Sequence, residues 1–163
     1  MLKFIGTKRI LAIPMNRREY NDYRGWTLPE NENGEDPGFL VEYIEGGARN
    51  DDRHMGYISW SPTDVFLASY QQITAMSFGH AIEMLKTGNA VARAGWNGKG
   101  MFLYLVPANA YPAQTGVAKA HFGDDALVPY SAYIAMKTAT GEVVPWLASQ
   151  TDVLADDWTV VEV

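Results

Sequence analysis

Apolar side chains recur at Phe78, Ala81, Ile82 and Leu85, the i, i+3, i+4, i+7 spacing that lines one face of a helix. Gly88 follows where a helix C-terminal glycine belongs, so the spacing predicts a helix that ends there. Elsewhere the pattern shortens to runs of strand length and β-rich composition, at residues 8–14, 39–44, 56–60, 89–94, 101–106, 131–138, 142–147 and 158–163. The glycine-rich stretch 95–100 reads as a turn between two of these strands, and Thr140 with Gly141 as the turn of a hairpin. Three further helix starts are marked by capping chemistry. Asn16 and Glu19 form a capping-box pair ahead of Tyr20 and Tyr23. Ser61, Pro62 and Asp64 suit the N-cap, first turn and third position of a helix whose apolar side is Val65, Phe66, Tyr70 and Ile73, and Ser149 with Asp152 repeats the signal.

Polar segments at 27–36 and 46–53 read as surface loops, and 107–129 as a long loop. The order of elements predicts an α+β protein of two small modules, residues 1–75 and 76–163, each with antiparallel strands packed on short helices. The modules echo one another: both carry a Gly-Trp pair (Gly25-Trp26, Gly95-Trp96) and Ser-x-Thr-Asp-Val (from Ser61 and from Ser149). Duplication with loop insertion explains the echo, and so does a helix cap used twice.

The chain has 163 residues, 47% of them hydrophobic and 20% charged, enough to build a core and too apolar for disorder. A net charge of -6 argues against binding a nucleic acid polymer over the whole surface, which requires many Lys and Arg. A small anionic ligand stays compatible, because a few local donors hold it. With no cysteine there are no disulfides, thiolate nucleophiles or thiolate zinc sites. Residues 1–13 interleave Lys3, Lys8 and Arg9 with short apolar runs and contain neither a signal-peptide core nor a membrane span, so a soluble cytoplasmic protein without membrane attachment is expected.

His54, His80 and His121 lie in separate segments without a nucleophile signature, so no catalytic residue is assigned. His80 and Glu83 are one helical turn apart, but on the flank away from the apolar stripe, and no metal or cofactor is implied. Asp124-Asp125 and Asp156-Asp157 read as solvated loop charges. The turn Gly-Trp-Asn-Gly-Lys-Gly lacks the length and the Gly-Lys-Ser/Thr ending of a P-loop. Its company is more informative. Arg93, Trp96, Asn97 and Lys99 set a planar cation, a flat ring and free backbone amides together, which is what a nucleotide asks for. Trp146 reads either as core or as a second stacking platform, and Ser149, Gln150 and Asp152 either as cap chemistry or as groups that read base edges and ribose hydroxyls.

From Met76 onward, Ser77-Phe78-Gly79-His80-Ala81, Leu85-Lys86-x-Gly88, Arg93-Ala94-Gly95-Trp96, Phe102-Leu103 and Pro145-Trp146-x-x-Ser149-Gln150-x-Asp152-x-x-Ala155-x-Asp157-Trp158 resemble the second family of phage Thoeris anti-defence proteins. The resemblance covers slightly more than half of the chain. It implies a sponge rather than an enzyme: a small α+β unit that assembles as a homotetramer and sequesters the cyclic ADP-ribose isomers made by bacterial TIR-domain proteins, some members also holding cyclic oligonucleotides. It implies Trp96 and Trp146 as stacking platforms, with Arg93, Asn97, Ser149, Gln150 and Asp152 as polar neighbours. The alternatives from other classes are a hydrolase of the same signal and a structural interaction domain. The 107–129 segment looks long for a compact member. Residues 1–75 are similar to a small uncharacterised domain common in phage proteins, and stand as a second ligand module, a lid or an oligomer contact.

Overall fold

The computed structural model describes residues 1–163 and divides into two compact units, Met1–Gln71 and Gln72–Val163. The chain is mixed α+β, with five helices and ten strands in antiparallel sheets.

In the first unit, β1 (Ile10–Pro14), β2 (Gly38–Tyr43) and β3 (Tyr57–Pro62) form an antiparallel sheet in that order. Helix α1 (Arg17–Arg24) starts at the expected capping box: the Asn16 side chain accepts from the Glu19 amide at 2.8 Å, and the Glu19 carboxylate accepts from the Asn16 amide at 2.8 Å. Alternation along β2 and β3 sends Leu40 and Ile58 to one face, where Tyr20 of α1 completes the core. On the other face Phe39 stacks on Phe66 of α2 (Thr63–Ser69) with ring centroids 4.0 Å apart.

Ser61 does not cap α2. The β2–β3 ladder runs through Ser61 and Pro62, paired with Phe39 and Gly38, so the strand claims both residues and the helix begins after Pro62, with no side-chain cap. Two positions of the expected apolar side, Val65 and Ile73, are exposed.

The face of β2 that carries Leu40 also carries Glu42, which is buried and fully paired. Its carboxylate accepts from the Met55 and Gly56 amides at 2.8 and 2.9 Å and meets His54 Nδ1 at 2.7 Å, while His54 Nε2 meets the Tyr23 hydroxyl at 2.8 Å. These bonds, that from His54 first, hold the Glu42 carboxyl below its ordinary range.

The second unit opens with α3 (Phe78–Lys86), whose Ala81 and Leu85 are buried as the spacing requires, and Gly88 takes a φ of 87° just beyond it, a conformation that a side chain would strain. Its main sheet has the order β10-β4-β5-β8-β9, all antiparallel, from β4 (Ala90–Arg93), β5 (Phe102–Val106), β8 (Tyr133–Lys137), β9 (Val143–Pro145) and β10 (Trp158–Val161). The C-terminal strand thus lies beside β4. It also binds the start of the unit: the Val160 amide donates to Ile73 O, and Met76 and Trp158 exchange backbone bonds. Met76, Ala81, Leu85, Val91, Leu103 and Trp158 form the core.

The segment expected to be a long loop is structured. It folds into β6 (Asn109–Pro112), α4 (Gly116–Phe122) and β7 (Leu127–Tyr130), with β6 and β7 paired as a separate two-stranded sheet and the Thr115 hydroxyl capping α4. Its strands are four residues long, nearly all exposed and each carries a proline, Pro112 and Pro129, which argues against a strand when the sequence is read alone.

The echo between modules has no shared role at Ser-x-Thr-Asp-Val. Ser149 caps α5 (Gln150–Val153) in a capping box with Asp152, whereas Ser61 remains in a strand.

Candidate functional site

Antiparallel pairing of β4 with β10 sets Arg93 opposite Trp158, and the residues on either side of that pair build the site. Trp158 is fully buried and serves as its floor. Three aromatic rings pack against it: Phe78 at 5.4 Å, Trp96 at 5.5 Å and Trp146 at 6.0 Å between centroids. Trp96 and Trp146 also meet each other edge to face, at 6.4 Å and 62°. Both are half-buried, so part of each indole contacts the core and part faces solvent.

The polar residues are brought to the same place with distinct duties. Asp152 is buried and its two oxygens are committed: Oδ1 accepts from Arg93 Nη1 at 3.0 Å and from the Trp96 indole N–H at 3.3 Å, and Oδ2 accepts from the Ser149 hydroxyl at 2.6 Å and the Ser149 amide at 3.1 Å. Arg93 reaches further, with Nε donating to Asp157 Oδ1 at 2.7 Å and Nη1 to Thr151 O at 3.2 Å. Asp157 Oδ2 accepts from the Gly95 amide at 2.8 Å. One cation is thereby clamped between two carboxylates, and the clamp fixes both the start of the 95–100 turn and the Trp96 ring. Asn97 and Gln150 are exposed beside these groups in sequence, on the turn and in the first turn of α5.

Asp157 is not a solvated loop charge. Together with Trp158 it is the part of the site that residue-by-residue reading missed. The available signal was the antiparallel return of the last strand, which sets the residues around 157 against those around Arg93.

The hydrogen bond from Arg93 is the main cause that lowers the Asp157 carboxyl below its usual range. For Asp152, burial opposes ionisation, but bonds from Ser149, Arg93 and Trp96 together outweigh it and lower this carboxyl too. The Arg93 guanidinium is raised in turn, chiefly by its bond to Asp157 and then by that to Asp152. A carboxyl depressed on folding stabilises the native state above its unfolded value, about 3.9 for Asp, and this contribution disappears as pH falls through the folded value. The melting temperature is therefore expected to fall as pH drops from about 5 toward 2. Asp157→Asn is expected to flatten that dependence, with Asp156→Asn, at an exposed neighbour, as the control. An unchanged profile in Asp157→Asn would remove the clamp from the account.

The match to known proteins falls on this unit. Residues 76–161 fit the model of the Tad2-like family, the Thoeris anti-defense 2-like domain. The chain belongs to this family. It is similar to Thoeris anti-defense 2 of Bacillus phage SP01, 46% identical over 89 residues, a match spanning 54% of this chain and 97% of that protein. The matched region supports a phage anti-defence role and contains the whole aromatic and carboxylate constellation. It also contains β6, α4 and β7, so this excursion lies within the family domain. Residues 1–71 lie outside the match, and no helix of the chain is long and apolar enough to cross a membrane.

Proposed function

We propose that this chain is an anti-defence sponge: it captures a cyclic ADP-ribose isomer or a cyclic oligonucleotide and withholds it from a bacterial effector without degrading it. The observation that carries the reading is the pair of half-buried tryptophans, Trp96 and Trp146, seated on Trp158 at 5.5 and 6.0 Å with the Trp96 N–H tied to Asp152. Indole surface held in a set orientation stacks on a base at little entropic cost.

In this reading the polar residues divide by function. Ser149, Asp152 and Arg93 hold the platforms in place, since their hydrogen bonds are spent on one another. Asn97 and Gln150, exposed on the turn and on α5, are the groups that read base edges and ribose hydroxyls. Capture works by depletion, so the protein must bind more tightly than the effector does and be present in at least stoichiometric amount. A cyclic ADP-ribose isomer, with one base, two riboses and a diphosphate, offers more surface than one small unit encloses, so in this reading the complete pocket lies at a subunit interface of a homotetramer in the bacterial cytoplasm.

Incubation with a panel of cyclic ADP-ribose isomers and cyclic dinucleotides, followed by heat denaturation and mass analysis, tests this. One compound is expected to be depleted from solution and released unchanged, and light scattering is expected to show an assembly larger than a monomer. Release of a linearised product would make the protein a hydrolase. No depletion, with no ligand effect on melting temperature, would leave the aromatic cluster a structural core.

A further inference from the structure

Arg93 shares the Asp152 carboxylate with the Trp96 indole, but it is neutralised by two carboxylates. The charge that receives an anionic ligand must come from elsewhere. The second unit has five Lys and Arg residues: Lys86, Arg93, Lys99, Lys119 and Lys137. Lys86 is paired with Glu83, and Lys119 belongs to α4 in the excursion. Lys99 and Lys137 remain: Lys99 is in the turn that carries Trp96, and Lys137 reaches that turn from β8. Lys99 is exposed within it. Lys137, half-buried on β8 opposite Phe102, extends its ammonium group to Gly100 O at 3.1 Å, and neither lysine is in an ion pair.

The backbone of this turn is equally uncommitted. Beyond the bonds of Gly95 to Asp157 and of Trp96 to Arg93 O, the amides of Asn97, Gly98, Lys99 and Gly100 have no hydrogen-bond partner within the chain. At Gly98 a Cβ would lie 2.0 Å from Met101 Sδ, and Gly100 has a φ of 69° and would bring a Cβ to 3.6 Å from the Lys137 ammonium. Consecutive free N–H groups with two unneutralised ammonium groups are the donor set of a phosphate site.

We propose that residues 97–100 with Lys99 and Lys137 form a diphosphate-binding subsite beside Trp96. It deepens the sponge reading and rests on it for the identity of the ligand: the adenine of a cyclic ADP-ribose isomer lies on the tryptophans and its diphosphate on the turn, while Arg93 contacts neither.

The test uses the full chain, labelled with nitrogen-15 and titrated with inorganic pyrophosphate. Saturable shifts are expected at the amides of residues 97–100 at millimolar pyrophosphate or below. Affinity is expected to fall about fivefold for each ammonium group removed, in Lys99→Met and Lys137→Met, and to depend less on salt. An unchanged spectrum outside the turn controls for folding. Trp96→Ala is expected to keep pyrophosphate binding while its cyclic ADP-ribose capture weakens roughly 10- to 100-fold. Absence of saturable shifts at the turn, or equal pyrophosphate affinity in Lys99→Met/Lys137→Met, overturns the subsite. Pyrophosphate bound at the turn of a protein that captures no cyclic ADP-ribose isomer upholds the subsite and overturns the sponge reading alone.

Discussion

Trp158→Ala is expected to destabilise the second unit by about 3–5 kcal/mol, the range for deleting a buried aromatic side chain. The whole stability of a small domain is about 5–15 kcal/mol, so this one change brings the unit close to unfolding. Trp158 is fully buried, three aromatic rings lean on it, and its indole N–H donates to Asp152 O at 3.0 Å. Removing the ring leaves a cavity next to the clamp and takes one donor from the Asp152 carbonyl, which keeps the Ala155 amide at 3.4 Å. Urea unfolding with a probe in the second unit measures the effect. Trp158→Phe, which refills part of the cavity but cannot donate, is expected to lose less. A cost below about 1 kcal/mol for the alanine variant would mean that the core closes without Trp158, and that the platforms rest on something else.

Trp96→Ala and Trp146→Ala are expected to act on capture more than on folding. Stacking of a base on an aromatic ring contributes about 1–3 kcal/mol, so each variant should bind its cyclic nucleotide roughly 10- to 100-fold more weakly. Both rings also touch the core, which adds a stability loss smaller than that of Trp158→Ala because each is only half-buried. Calorimetric titration at a temperature well below each variant's melting point separates the two effects. Should either variant unfold at that temperature, its tryptophan is a core residue. Should it stay folded with full affinity, the base stacks elsewhere.

Local signals in the chain were reliable where the residues concerned act within one turn or one strand. The capping box at Asn16 and Glu19, the stripe of α3, the hairpin across Gly141 and the cap at Ser149 are each determined by neighbours three or four positions apart. At Ser61 a cap signal of the same kind lost to the β3 ladder, because strand pairing with Phe39 and Gly38 used the backbone first. The excursion between β5 and β8 has no such signal: its strands are four residues long and each contains a proline, so pairing of β6 with β7 and not local pattern makes them strands.

The sequence by itself determined that the chain is α+β, that a family signature begins near Met76, and that two tryptophans with polar company stand in that signature. Only the tertiary structure decided which partners the polar residues take. Asp152 and Arg93 are far apart along the chain, and their interaction appears only when β10 returns beside β4 and presents Asp157 to Arg93 Nε and to the Gly95 amide. A carboxylate has few acceptor positions, and once they are filled by the protein's own donors it orients its neighbours instead of meeting a ligand. Whether a charge is spent or available depends on which partners folding brings within about 3 Å of it, and no spacing along one chain encodes that distance.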